Sequence, residues 1–156
     1  MVKINTLLII GTLIIIGCTH TSSPAELAQS TLIEFFDQLN NGKYQQASEL
    51  YGGSYEILMQ MNPDVEPSDY PGLWKNACTI NGYQCIKIKS VDFIETDGTI
   101  YTFQVEFRNP DGSLFVQGPC CGADQSPETR ITSFIYQVHV NKTEVVRVMD
   151  LPVYVP

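Results

Sequence analysis

The stretch Ile100-Tyr101-Thr102-Phe103-Gln104-Val105-Glu106-Phe107-Arg108 alternates without a break. Tyr101, Phe103, Val105 and Phe107 point one way, and Thr102, Gln104, Glu106 and Arg108 the other, as in a strand with one buried face. Turn chemistry bounds it on both sides. Thr96-Asp97-Gly98 is a hairpin turn before it, and Asn109-Pro110-Asp111-Gly112 is a second turn after it. Further out the alternation recurs. Gln84 to Ile94 is a strand candidate and Ser113 to Gln117 a short one. Thr129 to Val140 alternates with Phe134, Tyr136, Val138 and Val140 on its buried side, and Glu144 to Leu151 returns after a turn at Asn141-Lys142. Such a run of strands predicts an antiparallel meander with one apolar face and one polar face open to water.

Upstream of Gln84 the apolar period is helical. Ser23 is a good N-cap, Pro24 fits the first helical position, and Glu26 completes a capping box. Ala28, Leu32, Phe35 (with Phe36) and Leu39 then fall on one helical face until Asn40-Asn41-Gly42 stops it. A short helix with Tyr44, Ala47, Leu50 and Tyr51 facing inward ends at Gly52-Gly53. Ser54 opens a third, through Met61, and Ser68 or Asp69 caps a fourth carrying Leu73, Trp74, Ala77 and Cys78 before Asn81-Gly82. Met59 and Met61 are gap-filling core residues in this reading rather than soft metal ligands. Helices followed by a meander make an α+β domain over residues 24–156, with no internal repeat and no second domain.

The N-terminus carries a different signal. Lys3 precedes an apolar run from Leu7 to Ile16, and Ile15-Ile16-Gly17-Cys18 leads into the polar stretch Thr19 to Ser23. The run is well short of the roughly twenty residues that cross a bilayer as a helix, and its layout is that of an export signal. With a cysteine directly after the small residue, it resembles the lipobox of bacterial lipoproteins. The resemblance implies removal of residues 1–17 and acylation of Cys18. Residues 18–23 then become a tether to the lipid bilayer, outside the cytoplasm, at the cell membrane or the outer membrane of a bacterium. Thr19 in place of an Asp leans towards the outer membrane.

The phrase Phe35-Phe36-Asp37-Gln38-Leu39-Asn40-Asn41-Gly42-Lys43-Tyr44-Gln45-Gln46-Ala47 resembles the opening of small exported domains of the nuclear transport factor 2-like, cystatin-like superfamily. The order of elements over residues 24–151 agrees. The resemblance implies N-terminal helices packed into the mouth of a curved antiparallel meander. Enzymes, ligand carriers and accessory lipoproteins share such a fold, so it does not choose a function.

The chain holds 17 acids against 9 bases, a formal charge of −8. Without Lys3 the balance is −9, which opposes binding to nucleic acid. An enzyme of this architecture needs acid–base groups inside the cone, and the inward positions offer none. His139 falls on the outer face, where with Glu106 it makes an exposed acid–base pair, the basis of an isomerase- or hydrolase-like alternative. A register slip of one residue would turn His139 inward. Trp74, Tyr83, Tyr101, Phe103 and Tyr136 are pocket candidates for a small apolar ligand. Asn141-Lys142-Thr143 matches a glycosylation acceptor but reads as a turn.

Beyond Cys18 four cysteines remain, an even number that suits disulfides in an exported chain. Cys78 ends a helix and Cys85 begins a strand, so a local bridge between them fits. In a simple meander Cys120 is expected near the other end of the sheet from Cys85. That leaves Cys120-Cys121 as a vicinal pair, two thiols, or a thiol or metal site. A different strand order would let Cys78 or Cys85 meet the Gly118 to Gly122 loop. The reading as a whole is a lipid-anchored envelope lipoprotein, without cofactor or metal, that binds an apolar ligand or an envelope protein.

Overall fold

A computed structural model describes residues 22–118, 130–143 and 145–156. Four helices precede four strands: α1 (Pro24–Asn40), α2 (Tyr44–Leu50), α3 (Glu56–Met61), α4 (Tyr70–Thr79), β1 (Lys87–Thr96), β2 (Ile100–Arg108), β3 (Ser133–Val140) and β4 (Val146–Val148). The fold is α+β, with one antiparallel sheet in the order β1-β2-β3-β4. None of the described helices is long and apolar enough to cross a membrane.

Local chemistry sets the helix ends. The Ser23 hydroxyl accepts the Glu26 N–H, and the Glu26 carboxylate accepts the Ser23 N–H at 2.8 Å, closing the capping box. Asp69, not Ser68, caps α4 by accepting the Gly72 N–H at 3.0 Å. Gly42 takes φ 70°, the left-handed conformation that lets the chain turn from α1 into α2.

The buried face of α1 meets the buried face of the sheet. Ala28, Leu32, Phe35, Phe36 and Leu39 pack over Phe103, Val105, Phe107, Tyr136 and Val138. Phe36 stands edge-on to Tyr136 at 5.2 Å and tilted on Phe107 at 4.8 Å, the offset geometry aromatic rings prefer. Met59 and Met61 are half-buried against this core. The opposite face of β2 and β3 carries Thr102, Gln104, Glu106, Ser133, Gln137 and His139, with Ile135 as its exposed apolar residue.

β1, β3 and β4 are shorter than their sequence pattern predicts, β3 beginning at Ser133. β1 begins at Lys87 rather than Gln84, because the Gln84 N–H goes to Val153 O at 2.8 Å. Val155 N–H reaches Gly82 O at 3.0 Å, so residues 153–155 strap across the foot of the sheet. β4 keeps three residues of the predicted eight. The Met149 N–H still reaches Gln137 O at 2.9 Å, but the Gln137 N–H is taken by the Asp150 side chain, which ends the ladder. Ser113 to Gln117 is not a strand. It makes only the isolated bridges Arg108–Leu114 and Gln117–Ile131, while the Asn109 side chain binds Ser113 and Leu114.

Gly52 closes the far edge. Its N–H bonds Val148 O at 2.8 Å, and a Cβ there would stand 2.7 Å from Arg147 Cβ. Only a residue without a side chain lets the α2–α3 linker lie this close to β4.

Candidate functional site

Where α1 begins, the sheet is left uncovered. α1 starts at Pro24, while β2 starts one residue before Tyr101, the first inward-facing aromatic after the hairpin. Between them lies a cavity of ≈ 500 Å³. Leu27, Tyr101 and Val140 give it an apolar floor, and Ser22, Thr99 and Lys142 a polar rim. Asn141 also borders it, but its Oδ1 is spent accepting the N–H groups of Thr143 and Val145. The Asn141-Lys142-Thr143 triplet therefore builds a turn, as its sequence suggested. Ser22 is the first described residue, so the cavity opens beside the point where the N-terminal segment joins the domain.

The other aromatic candidates do not line this cavity. Trp74 and Phe103 are fully buried and Tyr136 is 2% exposed; all three fill the core. The Trp74 indole N–H donates to the Tyr55 hydroxyl at 3.0 Å, and its ring stands edge-on to Phe35 and Tyr51. Burial pushes the Tyr55 hydroxyl up to about 12, with the Trp74 bond pulling the other way. Tyr83 is buried against Tyr154. Of the predicted pocket residues, Tyr101 alone lines the mouth cavity.

His139 and Glu106 share the outer face, but the register separates them. His139 is opposite Ile100 and Glu106 is opposite Ser133, six residues further along β2, or roughly 20 Å at strand spacing. Glu106 instead pairs with Lys89 at 3.1 Å and accepts from Ser90 at 3.1 Å. These bonds hold its carboxyl below the usual range. The proposed acid–base pair is therefore corrected: the two residues are not brought together.

Sequence reading placed no acid inward, yet Asp150 is half-buried behind the sheet. Its Oδ2 accepts the Gln137 N–H at 2.6 Å. Burial raises its carboxyl above the ordinary value of 3.8, and the Gln137 bond partly offsets this. Asp150 borders a second cavity, of ≈ 450 Å³, with Tyr51, Ser54, Glu56 and Gln60. Burial, with the charge of Asp150 adding to it, pushes the Tyr51 and Tyr136 hydroxyls well above their usual value. Tyr51 donates to Ser54 O at 3.1 Å, and the Tyr136 hydroxyl oxygen accepts from the Val153 backbone N–H. Asp150 thus completes the sheet by accepting the Gln137 N–H. The signal that marks it is weak in sequence: an acid between the β4 apolar run and Leu151-Pro152 reads as a strand-end turn.

Cys78 and Cys85 form a disulfide, with their Cα atoms 5.4 Å apart. The bridge ties the end of α4 to the approach to β1, and Asn40 at the end of α1 donates to Cys85 O at 3.0 Å. Cys18, Cys120 and Cys121 lie outside the described residues. The residues that flank the Cys120-Cys121 loop do not sit where a meander was expected to put them. Gln117, which bridges Ile131, also donates to Tyr154 O at 3.0 Å, and Tyr154 packs on Tyr83. The loop is therefore rooted at the same end of the sheet as Cys85. Among the described residues no group of three or more His, Cys, Asp and Glu is placed to hold a metal ion.

No family model, no curated protein and no solved structure matches this chain.

Proposed function

We propose that this protein is an extracytoplasmic lipoprotein, anchored through acylated Cys18, whose domain is a non-enzymatic binding module of the nuclear transport factor 2-like, cystatin-like type. The observation that carries the binding reading is the mouth cavity, apolar in its floor at Leu27, Tyr101 and Val140 and polar at its rim. Ligand sites combine such an apolar lining with a few convergent polar groups. Lys142 at the rim suits an amphiphile with an anionic head. The lipobox-like Ile15-Ile16-Gly17-Cys18 supports the anchor, and the helices-then-meander order supports the superfamily.

Two measurements test this. Mass spectrometry of the protein from its own membrane is expected to find an N-terminal peptide that begins at acylated Cys18; an intact signal would sink the anchor. Titration with decanoate, followed by NMR, is expected to shift Leu27, Tyr101 and Val140 in a saturable way. Tyr101→Ser is expected to weaken binding, and no site-specific shift would sink the binding reading.

A second reading rests on Asp150. A half-buried carboxyl with a raised pKa beside a cavity is the kind of group that moves protons. Its commitment to Gln137 weighs towards a structural role.

A further inference from the structure

We infer that the end of the sheet opposite the mouth cavity holds a binding site for a small phosphate-bearing molecule, built on Lys87 and Arg108. The two are register partners on β1 and β2, so their side chains leave the same face side by side. Like charges in that position repel. In a chain with 17 acids and 9 bases, carboxylates to separate them are plentiful. Among the described residues, however, the one ion pair is Lys89–Glu106, which commits the neighbouring carboxylate elsewhere.

The cation pair lines a cavity of ≈ 400 Å³ rather than a convex surface. Asn40 and Asn109 border it with their carboxamides turned to Cys85 O and to Ser113 and Leu114, so the two cations carry the site, and Ile86 and Pro110 add apolar surface. An arginine fork and a lysine point charge suit phosphate oxygens. The apolar wall leaves room for an organic group on the phosphate. The net charge of the chain is acidic, so this paired cation corner is a local attraction for anions.

Its place in the fold separates it from the N-terminal segment. α1 runs from the mouth cavity at Pro24 to this site at Asn40, about 25 Å at helical rise. The four residue steps from Cys18 to Ser22 span about 14 Å at full extension. A soluble phosphate compound is therefore favoured over a headgroup of the membrane that would hold Cys18.

The test uses the full 15N-labelled chain in neutral detergent, titrated with inorganic phosphate at constant ionic strength. Saturable shifts are expected at Asn40, Lys87, Arg108 and Asn109, and sodium chloride at the same ionic strength is expected to leave them still. K87Q/R108Q is expected to weaken the response by about tenfold or more, its spectrum reporting that the fold is intact. Vesicles of phosphatidylglycerol, compared with phosphatidylcholine, form the second arm. Phosphate binding with no difference between the vesicles identifies a soluble ligand. A Lys87- and Arg108-dependent preference for phosphatidylglycerol assigns the phosphate to a lipid headgroup. Equal responses to phosphate and chloride, or an unchanged titration in K87Q/R108Q, would overturn the site.

Discussion

At Asp150 a single carboxylate stands in for a missing backbone carbonyl. It takes the Gln137 N–H at 2.6 Å where β4 has already ended, and it does so half-buried. Its raised pKa means that folding is helped while the carboxyl is protonated. That contribution is fully present below the ordinary value of 3.8 and is lost as the pH rises through the higher folded value. Asp150→Asn keeps an oxygen for Gln137 and removes the buried charge. It is expected to match or exceed the parent in stability at neutral pH, with the advantage vanishing in acid, as read by urea unfolding at both conditions. Asp150→Ala leaves the N–H unmet and is expected to cost about 1–3 kcal/mol. None of this was legible from the sequence. The burial of Asp150 depends on β4 stopping after three residues and the chain folding back under Gln137, and both are tertiary events.

Among elements, α1 and β2 were the most legible, and for the same reason. Each is specified by its own residues: the capping box and Asn-Gly stop for α1, the uninterrupted alternation between two glycine turns for β2. β1 and β4 were read too long because their end residues alternate but bond elsewhere, to the strap and to a side chain. The Cys78–Cys85 bridge joins two elements across a turn, with a sequence separation of 7. Closing so short a loop contributes roughly 2–3 kcal/mol in the chain-entropy account. Cys78→Ala/Cys85→Ala is expected to lose about that much in denaturant unfolding, with the native fold retained. A full loss of structure would show that the bridge holds the helices on the sheet by itself. At the α2–α3 linker, Gly52→Ala would force a Cβ against Arg147. It is expected to part the linker from β4 and to expose the Gly52 and Val148 amides to faster hydrogen exchange.

For the whole molecule, the sheet is closed by residues that do not belong to it. Residues 153–155 bond Gly82 and Gln84, Tyr154 packs on Tyr83 and accepts from Gln117, and Val153 and Val155 pack on the core. Gly82 has φ 86°, and a Cβ there would collide with Val155 O. A chain cut after Leu151 is expected to melt at a lower temperature and to lose exchange protection first at Gln84. Equal protection in both chains would show that the strap is ornament to the fold. The sequence hid this element because three alternating residues between two prolines are too few to read as a strand. The mouth cavity was half legible: Tyr101 was named for it, while Leu27 and Val140 join it only because α1 begins where β2 does.

The strap also imposes an order in time. A ribosome makes Gly82 and Gln84 long before it makes their partners at 153 and 155. Helices α1 to α4, and with them the Cys78–Cys85 loop, precede every strand in the chain. The sheet cannot be sealed at its foot until residues 153–155 exist. A chain halted before residue 153 would thus remain unlatched and open to proteases.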